Sequence, residues 1–526
     1  MPKVMNLGRL LTQAAGRWPD RAGLVQGDRT WSWAELDRRT DALVAALRRR
    51  GIGAGDRVMI HARNGNPMFE SLWAAFKLGA VWVPTNFRLT APEVAYLAEA
   101  SGARALIYDR GFEGHADSAG VAQAALGLVI AIGEPRTGET AYEDLVAEPF
   151  DPVEAEPAEV DYDDTLWFFY TSGTTGRPKA AMLTHGQMAF VVTNHLADLM
   201  PGLDDSHASL VIAPLSHGAG IHALAQVARG AKSILLSSER FDGAEAWRLV
   251  EQHRVTNMFT VPSLLTMLVD HPAVDAVDHA SLRHVVYAGS PMYRTDQKRA
   301  LEKLGPVIVQ YYGLGEVTGN ITVLAPALHA LDDAASPAPI GSCGVARTGM
   351  EVAILDAEGK RLPAGTSGEI CVRGPAVFKG YFNNPAANEK AFAHGWFHTG
   401  DLGLLDGRGF LTITGRASDM YISGGSNVYP REIEEVLLTH PAVAEAAVVG
   451  VPQAKWGEAG IAVLVLRPGA RVEAPEILAF LDGRIARYKR PARVVFWADL
   501  PKSGYGKVPK ALVKQHLVER GEDRLD

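Results

Sequence analysis

The apolar run Leu166–Phe169 passes without a break into YTSGTTGRPKAA, residues 170–181. A short apolar run bounded by turn residues reads as a buried strand, and a buried strand requires a layered sheet to bury it. Between Thr171 and Lys179 the loop carries two glycines, four hydroxyl residues, an arginine, a proline and a lysine. Two readings fit that composition. One is a solvated linker; the other is a loop whose backbone N–H groups, unobstructed by side chains, converge on phosphate. It is not a Walker A loop, because Ala180 follows Lys179 where a magnesium-binding serine or threonine belongs. No GxGxxG dinucleotide fingerprint occurs in the chain either. Composition alone leaves both readings open.

The surrounding pattern favours an α/β fold. Ser32 and Glu35 have the spacing of a capping box, and Leu36, Leu43, Val44 and Leu47 then follow one helical face to Gly51. A strand from Val58, a helix through Phe69, Trp73 and Phe76 ending at Gly79, and the strand AVWVP come next. Strand–helix–strand alternation of this kind builds layered α/β sheets. The acidic, proline-bearing segment Phe150–Asp164 reads as a solvated loop. Asp242 and Glu245 open a further helix, and NMFTVP and HVVYAGSP read as strands entering loops. From about residue 340, EVAIL, GEICVRG and GFLTITG are short strands with glycine-rich turns. From Ser418 a smaller α+β pattern takes over: a helix from Pro430, strands AEAAVVGV and GIAVLVL, a helix over Ala474–Ala486 and a strand VVFWADL. The expectation is a large multi-layered domain of mixed sheets with helices over 1–416. A small α+β domain over 417–526 would join it at a tight hinge near Arg416–Asp419.

Several classes are excluded or disfavoured. A net charge of −8 gives no basic excess for non-specific nucleic-acid binding. Two cysteines, Cys343 and Cys371, with no CxxC pair, rule out a disulfide framework and suit a reducing compartment. No apolar run approaches the ~20 residues of a membrane-spanning helix. The N-terminal residues read as a short amphipathic helix ending near Pro19, not a secretory signal. A cytoplasmic enzyme acting on a small molecule is the expected setting.

Eight motifs then occur in order: YTSGTTGRPKA (170–180), APLSHGAG (213–220), VVYAGSP (285–291), QYYGLGEVTG (310–319), GEICVRGPAVFKGYFNNP (368–385), WFHTGDLG (396–403), GRASDMYISGGSNVYPREIEE (415–435) and LPKSGYGKVPK (500–510). Over nearly its whole length the chain resembles the adenylate-forming superfamily of acyl-CoA synthetases, adenylation domains and luciferases. The resemblance implies activation of a carboxylic acid by ATP with Mg2+. An acyl-adenylate and pyrophosphate form, and the thiol of coenzyme A then displaces AMP. Two anions must meet, so such a site has to neutralise charge and hold an in-line geometry.

By the same resemblance, Thr171, Ser172, Gly173, Thr174, Thr175, Gly176 and Lys179 form a pyrophosphate cradle. Gly289, Ser290, Tyr311, Tyr312 and Gly313 join the nucleotide site, with Tyr312 stacking on adenine; the plainer reading is a core tyrosine. Glu316 matches the magnesium ligand. Asp401 matches the carboxylate that accepts the ribose hydroxyls, with Arg416 beside it. Lys507, by composition a surface lysine, matches the cation that stabilises charge at the α-phosphate. Asp419 matches the hinge about which a mobile C-terminal domain turns between half-reactions. Gly424 and Gly425 would line the thiol tunnel, and Trp456, Arg487 and Lys489 are candidate coenzyme A contacts that could equally be plain surface. His217, with Gly218 and Gly289, would border the acyl pocket, although a lone histidine can also be a core residue.

Two positions depart from the family pattern. Gly315 stands where a threonine hydroxyl is usual, and Ala180 replaces a glycine. A water, Thr318 reaching back, or intrinsically weaker adenylation could each account for Gly315. The segment 215–220 carries no carboxylate for an α-ammonium, which argues against amino-acid substrates. The small residues Gly218, Ala219, Gly220, Gly289 and Ser290 are expected to leave room near His217 for an aryl ring or an alkyl chain. The expected activity is an acyl-CoA synthetase for a fatty or aromatic acid. A ligase loading a carrier protein, or a luciferase-like or non-catalytic adenylate-binding protein, are the alternatives, and a homodimer is admissible.

Overall fold

The computed structural model describes residues 3–171, 177–238, 240–290, 292–416, 418–423, 426–453, 456–502 and 508–525. Ser32 Oγ accepts from Glu35 N at 3.1 Å and opens the helix Trp33–Arg49, whose buried face includes Leu36, Leu43, Val44 and Leu47. The helix Asn66–Leu78 ends on Gly79, which adopts φ 68°, a conformation glycine takes without a Cβ penalty.

These helices pack between two large sheets. One has seven strands in the spatial order Lys179–Thr184, Thr165–Thr171, Val81–Pro84, Arg57–His61, Ala105–Asp109, Leu128–Ile132 and Thr140–Ala141. Only its first pair is antiparallel. The other has nine strands. Its parallel centre runs Ile308–Tyr312, His284–Tyr287, Asn257–Thr260, Ala208–Val211, Lys232–Leu235 and Ala22–Gln26. Alternation along a strand sorts side chains between layers: Val58 and Ile60 join the core shared by the two sheets, while Met59 faces the outer layer. Both faces are covered, so the strands are mostly apolar.

A four-stranded antiparallel sheet follows, formed by Glu351–Leu355, Gly368–Arg373, Phe397–Leu405 and Leu411–Arg416. Beyond it, five strands from Tyr421–Ser423 to Arg493–Phe496 carry the helices Pro430–Leu437, Ala474–Leu481 and Lys510–Glu519. Two apolar clusters, one around Ile433, Leu437 and Ile477 and one around Val449, Val463 and Leu517, give this last sheet a core of its own.

Two expectations need correction. The segment 150–164 is not merely a solvated loop. Asp151 caps a short helix, Pro152–Ala155, in a full capping box with Glu154, and Val160 is buried where Val160–Asp161 pairs with Lys3–Val4. The helix expected over 474–486 stops at Leu481, and Gly483 two residues later has φ 75°. Among the described residues, no helix is long and apolar enough to cross a membrane.

Candidate active site

Three sheets meet at one cleft. Thr171 closes the strand Thr165–Thr171, and its Oγ1 donates to Glu316 Oε1 at 3.0 Å. Glu316 lies in the turn Gly315–Val317, just past the strand Ile308–Tyr312. Tyr312 closes that strand and donates from its hydroxyl to Asp401 Oδ2 at 2.7 Å. Arg416 Nε lies 2.9 Å from Asp401 Oδ1, and the two residues are register partners on neighbouring strands of the four-stranded sheet. The site therefore sits beyond the carboxyl ends of the parallel strands, where open α/β sheets bind ligands.

Glu316 is buried. Its Oε1 also accepts from the Tyr381 hydroxyl at 2.9 Å, while its Oε2 is buried with no partner among the described residues. A buried carboxylate oxygen left unpaired costs about 1–3 kcal/mol or more, and a hard divalent cation is the natural partner for it. Burial, and then the charge of Glu316, raises the Tyr381 hydroxyl well above its ordinary range, so it remains a donor. Lys179 places its Nζ 5.0 Å from the Tyr381 ring centroid, so cradle lysine and metal-ligand candidate share one aromatic neighbour.

Asp401 is held by its own turn. Thr399 Oγ1 donates to Ile370 O at 2.7 Å and accepts from Asp401 N at 3.1 Å. Glu369 Oε1 accepts from Gly400 N at 3.0 Å, and its Oε2 lies 2.8 Å from His398 Nδ1. Among the described residues each Asp401 oxygen has one partner, Tyr312 or Arg416, and a carboxylate offers about four acceptor positions, so two ribose hydroxyls would find room. Burial first, and the Asp401 charge second, raise the Tyr312 hydroxyl well above its usual range; the same carboxylate raises Arg416. Cys371 Sγ lies 3.4 Å from His398 Nδ1, and burial pushes this thiol up to about 12, so it stays protonated at neutral pH.

Gly315 has a steric explanation. A Cβ built there would stand 2.5 and 2.6 Å from Phe169 Cδ1 and Cε1, and 3.0 Å from Thr171 Cγ2. The Phe169 ring fills the place of the missing side chain and lies over the His217 imidazole, centroid to centroid 4.2 Å. Thr318 does not reach back to replace it. Its Oγ1 donates to Val317 O at 2.7 Å and accepts from Asn320 Nδ2 at 3.0 Å.

His217 precedes the helix Gly218–Arg229 as its N-cap. The small residues after it leave less room than expected. A Cβ at Gly218 would meet Phe259 Cζ at 2.6 Å, and one at Gly220 would meet Leu215 O at 2.1 Å and Trp167 at 2.9 Å. These glycines allow close packing of the helix instead of opening a pocket. Gly289 is different: its φ is 87° and only Val261 Cγ1, at 3.7 Å, would touch an added Cβ. Gly289 and Ser290 follow the strand His284–Tyr287, on the same sheet edge as Tyr311, Tyr312 and Gly313. Gly313 lets the loop approach Gly319, whose Cα lies 2.5 Å from the position of a Gly313 Cβ.

In the C-terminal part, Asp419 N donates to Arg416 O at 3.1 Å, tying the hinge candidate to the ribose-site arginine. Trp456 is half exposed and adjoins Gly457, the register partner of Ser423. Arg487 is exposed, whereas Lys489 Nζ is engaged with both oxygens of Glu432, at 2.6 and 2.7 Å. Ser172, Gly173, Thr174, Thr175, Gly176, Gly424, Gly425 and Lys507 lie outside the described residues. Sequence reasoning missed Tyr381, Phe169, Glu369 and His398. Tyr381, Glu369 and His398 stand inside the quoted motifs GEICVRGPAVFKGYFNNP and WFHTGDLG, and only their spatial pairing shows what they do.

The family model for AMP-binding enzymes matches residues 11–382, and the model for the C-terminal domain of such enzymes matches 432–507. A feruloyl-CoA synthase from Amycolatopsis is 37% identical, the alignment covering 96% of this chain and 99% of that protein. An indoleacetate–CoA ligase from Aromatoleum aromaticum is 35% identical, with 98% and 99% covered. Among solved structures, o-succinylbenzoate CoA synthetase from Bacillus subtilis, bound to its acyl-adenylate OSB-AMP, superposes with a TM-score of 0.83. It is 31% identical, with 98% of this chain and 99% of that one covered.

Proposed function

Because this chain belongs to the family of AMP-binding enzymes, we propose that it is an AMP-forming acid–thiol ligase whose substrate is an aromatic carboxylic acid. The observation that carries the reading is the paired constellation at the cleft. Glu316 offers an unpartnered buried carboxylate oxygen, and Tyr312, Asp401 and Arg416 form a chain beside it with acceptor positions to spare. The aromatic choice is supported by the named substrates of the three relatives and by the stacked Phe259–Tyr311 pair, 5.9 Å between centroids, beside Gly218.

In this mechanism Asp401 accepts the ribose hydroxyls, and Arg416 and Tyr312 hold its carboxylate in place. Lys179, with the cradle 171–176, binds the β- and γ-phosphates. Glu316 Oε2 is the atom that would hold Mg2+, which when bound offsets the phosphate charge. His217 and the Phe169 ring fix the place of the acid's carboxylate beside the α-phosphate. That carboxylate attacks the α-phosphate, pyrophosphate leaves, and acyl-adenylate remains. Lys507 is assigned the α-phosphate charge in this step. The C-terminal part, taken as 417–526, then turns about Asp419, and the coenzyme A thiolate attacks the acyl carbon to release AMP.

A panel of benzoic, phenylacetic, cinnamic and straight-chain acids, assayed for AMP with ATP, Mg2+ and coenzyme A, tests the reading. Aromatic acids are expected to exceed alkyl acids of equal length in kcat/KM. A uniform preference for alkyl acids would overturn the substrate class, and ADP as the product would overturn the ligase chemistry.

A further inference from the structure

The helix Gly218–Arg229 presents Ala219, His222, Ala223 and Gln226 along one face, and that face looks onto the parallel sheet rather than into solvent. Opposite it, Ser209 and Ser233 are register partners on adjacent strands, and Ser209 is also the partner of Asn257. A row of three polar side chains therefore crosses the interior of the nine-stranded sheet. Helix face and strand row together line a narrow cleft with Val211 and Phe259.

The polar groups of this cleft are not all paired. His222 Nε2 lies 3.0 Å from Asn257 Oδ1 and 3.1 Å from Gln226 Nε2, and Asn257 Oδ1 also accepts from Gln226 Nε2 at 2.9 Å. His222 Nδ1, Ser209 Oγ and Ser233 Oγ are buried with no hydrogen-bond partner among the described residues. The exposures of the three residues are 3%, 1% and 1%. Buried polar side chains without partners are few in native proteins, and each calls for an explanation. With Nε2–H donated to Asn257, Nδ1 is a bare acceptor. Burial, the main cause, lowers this imidazole to about 4 and keeps it neutral at physiological pH. The two serine hydroxyls can each donate or accept. A hydroxyl group, which donates once and accepts twice, complements this set, whereas a methyl or bare ring edge leaves all three atoms unpaired.

The cleft starts at Ala219, the second residue of the helix that His217 caps. His222 stands five residues beyond His217, about 8 Å along the axis at 1.5 Å per residue. That span suits an aromatic ring joined to the carboxyl by a short linker. As it stands the cleft does not admit a water-sized sphere, and Phe259 is the lining aromatic ring whose rotation would open it.

Resting on the aryl-acid ligase reading above, we propose that His222, Ser209 and Ser233 form the floor of the acyl pocket and select aromatic acids that carry a hydroxyl at the end remote from the carboxylate. The test compares 4-hydroxycinnamate with cinnamate, by kcat/KM for AMP formation, in the wild type, in His222→Leu and in the double variant Ser209→Ala/Ser233→Ala. The wild type is expected to favour the hydroxylated acid by about 10-fold or more, the effect of one buried hydrogen bond left unmade. Both variants are expected to bring the ratio close to one through loss with the hydroxylated acid. Equal rates for the two acids in the wild type, or a preference that survives both variants, would overturn the proposal. If neither acid yields AMP, the ligase reading has failed, and calorimetric titration of the same two acids into the wild type still decides the floor: equal affinities refute it.

Discussion

Replacing Gly315 by threonine restores the hydroxyl usual in the family, yet the structure predicts a damaged enzyme. The backbone at 315 lies outside the left-handed region, so the obstacle is the Phe169 ring alone, with Thr171 close behind. Ordinary carbon contacts are about 3.5–4.0 Å, so contacts of 2.5 and 2.6 Å require a shift of about 1 Å. Phe169 has little room to give, because it lies over His217 and its strand continues into Thr171, which holds Glu316. Overpacking of this kind costs about 1–3 kcal/mol, and a 1 Å misplacement of reacting groups costs on the order of 100-fold in rate. Acid-dependent pyrophosphate release by Gly315→Thr should therefore fall by roughly 100-fold, with a lower thermal midpoint. In the Phe169→Ala background the same threonine should be neutral or beneficial, a coupling that a double-mutant cycle isolates. A Gly315→Thr single variant that matches or exceeds the wild type would refute this reasoning and return the missing hydroxyl as a catalytic deficit.

Three other outcomes follow from the site. Glu316→Gln should lower adenylation by on the order of 10²–10³-fold and raise the Mg2+ concentration for half-maximal pyrophosphate release, as expected when a charge-stabilising group is lost. Asp401→Asn should cost about 10–100-fold in kcat/KM for ATP, the range of charge-assisted hydrogen bonds, and markedly less with 2′-deoxy-ATP. Burial lowers His61 to about 3 and His185 and His222 to about 4, from an ordinary value of 6.5. Below 6.5 the unfolded chain then binds protons that the folded chain does not, so the thermal midpoint should fall steadily from pH 6.5 to 4 and stay flat from pH 7 to 8.

Sequence was most informative where one residue does one job within a motif. Thr171, Glu316, Asp401 and Arg416 are each marked by a motif that resembles the adenylate-forming family, and their side chains meet in the cleft. The alternating layers were readable too, because helix and strand periods differ and the capping residues Ser32, Gly79 and Asp242 mark the ends. What sequence did not reveal is set by long-range contact. The pairing of Phe169 with Gly315 joins residues 146 apart in the chain, and Tyr381 reaches Glu316 across 65. Gly218 and Gly220 looked like open space, but tertiary neighbours occupy it. The early end of the helix at Leu481 shows the same limit at short range. Ala486 continues the apolar pattern, and a glycine in the left-handed region overrides it.

The central claim is that the cleft joins an acid to a thiol through an adenylate. The direct measurement is a product balance for one incubation with ATP, Mg2+, an aromatic acid and coenzyme A. AMP, pyrophosphate and acyl-CoA thioester should appear in equal amounts, and omission of coenzyme A should leave acyl-adenylate with pyrophosphate at no more than about one equivalent per enzyme. Formation of ADP and phosphate, or AMP released without thioester when coenzyme A is present, would contradict it.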